Sequence, residues 1–250
     1  MNISIFPGKN RNGEMEDFTE IEIKSGETIS IVGPTGSGKT ALMTDIELLA
    51  QKDTITKRQI FIDGKKPSED IRFNPVLKPV TMITQNTKCF ADITVEEFLK
   101  IHIRAREMNN TMIKKTIEMA NTFTGEPVEN HIRITCLSGG QTRSLLIADA
   151  LIIGLSPIIL LDEVENAGIN KKRVMEIVSE VNKIAIFATH DPVIALLTER
   201  RIIMNQGKIS NLIYRNNAEL SELEKLLIVE EKMDKIRNMI RAGGQIPENV

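Results

Sequence analysis

Cysteine is nearly absent from this sequence: Cys89 and Cys136 are the only two, and they lie far apart. They form neither a CxxC pair nor a zinc-type spacing, which argues against a disulfide framework or a structural zinc site and for two reduced thiols. Long apolar runs are missing too. The longest stretches, 145–155 and 158–161, fall short of the roughly 20 residues that a membrane-spanning helix needs. An excess of either charge is also absent, with 32 Lys and Arg against 34 Asp and Glu. The resulting net charge of -2 leaves no whole-chain basic footprint, so no direct nucleic-acid binding is expected. The same balance excludes an acidic, disordered chain. The first residues lack a basic region followed by a long apolar one, so no signal peptide is expected. No internal repeat stands out. These absences together predict a soluble, cytoplasmic protein that would meet a membrane only through a partner.

What is present is a sizeable core: 41% of the 250 residues are hydrophobic. Short β-branched runs predict strands over 3–6, 18–23, 27–32, 59–62 and 80–84. A helix is expected from Lys39 to about Gln51. Between about Thr87 and Leu155 the pattern changes to helical period, over 94–106 and 112–122, with Asp92 or Thr94 as a cap. Strand–helix alternation then returns. Strands are expected over 158–161 and 184–188, helices over 171–181 and 191–197, and a hairpin from strands 201–204 and 208–213. Such alternation predicts an α/β core with a mainly parallel sheet, interrupted by an all-helical insertion.

Residues Gly33, Pro34, Thr35, Gly36, Ser37, Gly38, Lys39 and Thr40 fit the phosphate-binding loop pattern in full, between a predicted strand and a predicted helix. Glycines let backbone N–H groups curl around phosphates, and the helix start adds partial positive charge. Lys39 would reach the β- and γ-phosphates and the Thr40 hydroxyl would ligate Mg²⁺. This motif implies a nucleoside triphosphate and leaves kinases, GTPases, motors and recombinases open. Residues Leu137, Ser138, Gly139, Gly140 and Gln141 supply a second anion-binding helix start, which one nucleotide in one chain does not need.

That Leu-Ser-Gly-Gly-Gln run resembles the signature sequence of the ATP-binding cassette (ABC) ATPases. Four further stretches agree, in the family's order. The strand ending at Gln85 resembles the Q-loop. Residues 157–163, ending in Asp162 and Glu163, resemble the Walker B strand and catalytic glutamate. Residues 188–191 resemble the switch histidine segment around His190, and 200–209 the closing hairpin. With the phosphate loop, the resemblance covers roughly residues 27–210. It implies a P-loop NTPase (RecA-like) α/β core with an N-terminal antiparallel β subdomain and an inserted helical subdomain. The core would span 1–86 and 156–215, the helical part 87–155, and a C-terminal helical extension 216–250.

The resemblance also implies roles. ATP and Mg²⁺ would be the cofactors, with Thr40, Gln85 and Asp162 holding the metal. Glu163 would be the general base, His190 would orient it and the attacking water, and Gln85 would sense the γ-phosphate. Ser138, Gly139, Gly140 and Gln141 would close on a nucleotide held by the other cassette of a homo- or heterodimer. The departures from the family's pattern are three. Val164 stands where proline is usual, and the D-loop-like stretch 165–170 carries an extra residue, with Asn170 the best match to the usual aspartate. No aromatic residue lies near Asn10–Gly13 to stack an adenine, leaving Phe6 as the nearest candidate, equally readable as a core residue. Thr142 follows the signature where a longer polar residue is common, although Arg143 fits.

Residues 218–241 are rich in helix formers, with an apolar stripe at Leu226, Val229, Met233, Ile236 and Ile240, and Gly243 and Gly244 as a stop. The stripe would pack either on the chain's own core or on a partner. His102 and His131 read as ordinary packed or surface histidines. Two functions remain open at this point. One is the nucleotide-binding subunit of an ABC transporter, coupled to a separate integral-membrane subunit. The other is a soluble ABC ATPase of a cytosolic assembly machine, because 168–170 faintly resembles the ATPase of iron–sulfur cluster assembly. Chromosome-maintenance members are set aside, since only 51 residues (86–136) separate Gln85 from Leu137. Two-cassette translation factors are set aside as well, since the chain carries one cassette.

Overall fold

The computed structural model describes residues 1–84, 86–87, 91–163 and 169–246, with the side chain of Asn238 excepted. Gln85, Cys89 and the stretch 164–168 lie outside the described residues.

Two sheets form. Strands β1 (Asn2–Phe6), β2 (Ile21–Lys24) and β4 (Gln59–Ile62) make a three-stranded antiparallel sheet in the order β2-β1-β4. Strands β3 (Thr28–Val32), β5 (Val80–Ile83), β6 (Ile158–Asp162), β7 (Ile184–Ala188), β8 (Arg200–Asn205) and β9 (Lys208–Tyr214) make a six-stranded sheet ordered β5-β6-β7-β3-β8-β9. Its strands run parallel except for the β8–β9 hairpin. The expected α/β core, antiparallel subdomain and helical insertion are all present.

Strand β6 shows why this sheet lies inside. Ile158, Ile159, Leu160 and Leu161 are an unbroken apolar run, as a parallel strand covered on both faces requires. Alternation sends Ile159 and Leu161 to one side, where they join Leu99, Phe123, Leu145 and Val174. Ile158 and Leu160 go to the other, with Ile3, Ile5, Leu42 and Ile46. Helix α1 (Lys39–Glu47) and the antiparallel sheet cover the second side. The first is covered by α3 (Val95–Ala105), α4 (Thr111–Phe123), α5 (Gly139–Ile152) and α6 (Lys171–Glu180).

The short helix α2 (Glu69–Phe73) was not foreseen. Ser68 caps it and it buries no residue, so no apolar period marks it. The strand expected over 18–23 begins only at Ile21 and ends at Lys24, because pairing with β1 fixes its register. Thr94, not Asp92, caps α3, in a capping box with Glu97. Helix α7 (Pro192–Leu197) begins with the Asp191 carboxylate accepting from the Val193 and Ile194 N–H groups. The C-terminal helix α8 (Asn217–Arg241) buries Leu223 near its start. Farther along, Val229, Met233 and Ile240 are exposed, so most of the apolar stripe does not cover the chain's own core.

No helix among the described residues is long and apolar enough to cross a membrane.

Candidate nucleotide site

Because β3, β6 and β7 are parallel neighbours, their carboxyl ends emerge on one edge of the sheet, where α/β proteins place ligands. The phosphate loop leaves β3, Asp162 and Glu163 leave β6, and Thr189 and His190 leave β7. The sheet thus gathers groups more than 150 positions apart in sequence.

In the phosphate loop Gly33, Gly36 and Gly38 have φ of 155°, 78° and 103°, a region L side chains rarely adopt. Space is restricted as well. A Cβ on Gly33 would come within 2.4 Å of the Met204 carbonyl oxygen, and one on Gly38 within 3.0 Å of the Gly207 Cα. The Lys39 ammonium donates to the Gly33 carbonyl at 2.7 Å and the Pro34 carbonyl at 3.2 Å, so its charge spans the loop. Pro34, Thr35, Gly36 and Thr40 are exposed, whereas Ser37 is buried. The Ser37 hydroxyl has no hydrogen-bond partner among the described residues.

Glu163 adopts a left-handed backbone at φ 50°, uncommon for a residue with a side chain. Its N–H donates to the Ala188 carbonyl at 2.9 Å, which ties the end of β6 to the end of β7. This turn brings the Glu163 carboxylate within 3.6 Å of His190 Nδ1. Thr189, fully buried, donates its N–H to the Ile31 carbonyl, and its hydroxyl accepts from the Asp191 N–H. His190 therefore projects from a segment fixed on both sides.

Asp191 also binds the Lys171 ammonium at 2.5 Å, and the same ammonium pairs with Glu230 of α8. Burial alone would lower the Lys171 pKa. The hydrogen bonds it donates to Asp191 and Glu230 outweigh it and hold that pKa above the ordinary lysine value. A groove of about 690 Å³ opens here, lined among others by Thr124, Asn170, Lys171, His190, Asp234 and Arg237.

The signature segment sits apart, at the start of α5. Ser138 and Gln141 form a capping box: Gln141 N–H donates to Ser138 Oγ at 3.2 Å, and Ser138 N–H to Gln141 Oε1 at 2.9 Å. Gln141 further donates to the Pro127 carbonyl and Ser138 to Glu126. Ser138 and Gly139 are exposed, and a Cβ on Gly139 would meet nothing within 4 Å. Among the described residues no hydrogen bond or ion pair joins 137–141 to 33–40.

Phe6 lies on the opposite face of β1 from the buried Ile3 and Ile5 and packs on Phe61, with ring centroids 4.9 Å apart. That contact fits the reading of Phe6 as a packed residue. His102 is a packed histidine, as expected: its Nδ1 lies 2.7 Å from Asp149 Oδ2, which links α3 to α5. Sequence reasoning also missed Arg58, which is fully buried behind the phosphate loop; nothing local marks a lone arginine before a strand as interior.

Residues 18–166 match the family model described as ABC transporter. The chain belongs to the ABC transporter family. An ABC transporter ATP-binding protein of Methanocaldococcus jannaschii is 42% identical over 245 residues, 98% of this chain and 94% of its own length. The spermidine/putrescine import ATP-binding protein PotA of Bacteroides fragilis is 28% identical over 204 residues, 78% of this chain. This chain spans only 42% of the Bacteroides fragilis PotA length and 60% of the Borreliella afzelii PotA. Among solved structures, an ABC cassette in a dimeric post-hydrolysis state bound to ADP and Pi matches at TM-score 0.64 and 24% identity, over 86% of this chain and 99% of its own. CbiO1 of Clostridium perfringens, part of the ABC transporter complex cbiONQ, matches at TM-score 0.66 and 20% identity, over 96% of this chain and 98% of its own. These two likenesses concern the fold.

Proposed function

We propose that this ABC ATPase is the nucleotide-binding subunit of a transporter, hydrolysing MgATP at sites that each join the phosphate loop of one cassette to the signature helix of another. The observation that carries this reading is the approach of Glu163 to His190 on the phosphate-loop edge, with Ser138 and Gly139 exposed on a separate helical layer.

The loop 33–40 would cradle the phosphates, with Lys39 exchanging its carbonyl partners for phosphate oxygens. Thr40 and Asp162 offer hard oxygen donors, which suit magnesium, and Gln85 would join them. The ion, when bound, would neutralise charge on the phosphates. Glu163 would take a proton from water as its oxygen bonds to the γ-phosphorus, while the bond to the β–γ bridging oxygen breaks and ADP leaves. His190 would hold Glu163 and the water in line. Ser138, Gly139, Gly140 and Gln141 of a second copy would close over the γ-phosphate.

The same proposal divides the chain into a core of 1–86 and 156–215, a helical part of 87–155 and an extension of 216–250. A membrane subunit would receive the force of dimer closure, and it would hold this chain at the cytoplasmic face. The relatives named for import support this, since they pair an ATP-binding protein with transport.

Complementation tests the shared site. Lys39→Ala and Ser138→Arg should each be inert alone. Mixed in equal amounts, they should recover about a quarter of wild-type turnover, because half the dimers then hold one intact site of two. No recovery at any ratio would show both motifs acting within one chain. Purification from the native source separates the two machine classes: an accompanying polytopic membrane protein supports transport, whereas only soluble partners would favour an assembly role.

A further inference from the structure

Arg58 is fully buried, and so are its two carboxylate partners Glu16 and Asp45. Its Nε and Nη2 donate to the two oxygens of Glu16 at 3.0 and 2.6 Å, and its Nη1 donates to Asp45 Oδ2 at 2.9 Å. Glu16 also accepts from the Gly8 N–H at 2.8 Å and the Ile209 N–H at 2.6 Å, and Asp45 accepts from the Thr56 hydroxyl at 2.7 Å. Burial alone would lower the Arg58 pKa, but Glu16 and then Asp45 outweigh it and raise it.

The network touches the phosphate loop at two points. Asp45 lies on α1, the helix that continues the loop. Arg58 Nη2 also donates to the Gly207 carbonyl at 3.1 Å, and the Gly207 N–H donates to the Ser37 carbonyl at 2.9 Å. Gly207 is the turn between β8 and β9, and Gly38 packs directly against it. Buried ion triads contribute little net stability, since apolar replacements of similar volume are often neutral or better. What an apolar replacement does not reproduce is a fixed donor on Gly207 together with a fixed acceptor on α1.

We propose that Arg58 is a positioning residue for nucleotide binding: anchored by Glu16 and Asp45, it sets the Gly207 turn and helix α1 that shape the phosphate loop from behind. This rests on the reading that residues 33–40 hold the nucleotide's phosphates.

Four variants test it, with the Kd for MgADP, the KM and kcat for MgATP, and the Tm measured on the full chain. Arg58→Lys keeps the charge but lacks the fork that reaches both carboxylates and Gly207. The triple variant Glu16→Met, Asp45→Leu, Arg58→Met removes all buried charge and should keep the Tm near that of the wild type. Both should raise Kd and KM about tenfold and leave kcat at saturating MgATP within about twofold, as loss of ground-state positioning requires. Ile5→Val lowers stability in the antiparallel sheet and should leave Kd unchanged. A wild-type Kd in either folded Arg58 variant, or a Kd shift in Ile5→Val as large as theirs, overturns the positioning role. Lys39→Ala separates the two readings: should it leave MgADP affinity intact, the phosphate-loop assignment itself falls.

Discussion

Glu163 has an unusual backbone as well as a suggestive neighbour. A left-handed φ in a residue with a side chain costs about 1–3 kcal/mol and persists only where surrounding contacts hold it. Here the Ala188 carbonyl holds its N–H, and the result is a carboxylate facing His190. Glu163→Gln keeps the shape and removes the proton acceptor. It should lower kcat by about 10²-fold or more while nucleotide still binds, and stopped-flow phosphate release would measure this. Turnover within a few-fold of wild type would remove Glu163 from the chemistry. The acidic pair after an apolar strand was legible in the sequence, while the role expected of Glu163 came from the family resemblance. Its strained turn was not legible, because φ depends on how β6 meets β7. Arg58 was illegible for a related reason: its partners lie 42 and 13 residues away, and no local spacing announces them.

Among the helices, α5 carries the signature at one end and meets a half-buried lysine from the loop before β7 at the other. Lys183 donates to the Ala150 and Gly154 carbonyls at 2.9 and 2.7 Å, which caps the carboxyl end of α5. Burial, then the Arg106 charge, push its pKa down to about 8, against the pull of Asp149. Below pH 8 both folded and unfolded forms are protonated, and the cost of burying the charge is fully present. Between about pH 8 and 10.5 the unfolded chain binds more protons, so stability rises with pH through this group. Urea titrations should show the wild type gaining on Lys183→Met as pH climbs through that window; parallel curves would mean the ammonium is not desolvated. Phe123 closes α4, fully buried, and its carbonyl accepts the Asn170 N–H at 2.7 Å. Phe123→Ala should cost about 3–5 kcal/mol in the same titrations. The long helices were legible from their apolar period. Helix α2 was not, since it has no fully buried residue and its contacts, such as Arg72 with Asp53, are distant in sequence. The fate of the α8 stripe was not legible either, because periodicity shows that a face is apolar and not what covers it.

For the molecule as a whole, the topology confines the phosphate loop, Asp162, Glu163 and His190 to one edge while the signature segment stands in the helical layer. Sequence order revealed which motifs exist, and family resemblance implied that two chains share each site. Nothing in the residue pattern of a single chain gives the distance between Ser138 and the loop, because that separation is set by how α3 to α5 pack on β5 and β6.

Lys171 has a consequence that reaches beyond the nucleotide edge. Its ammonium grips the tail helix through Glu230 and the switch segment through Asp191, which adjoins His190 by one peptide unit. The tail helix and the segment after β7 thus share a single cation, so removing that one ammonium would unfasten both at once.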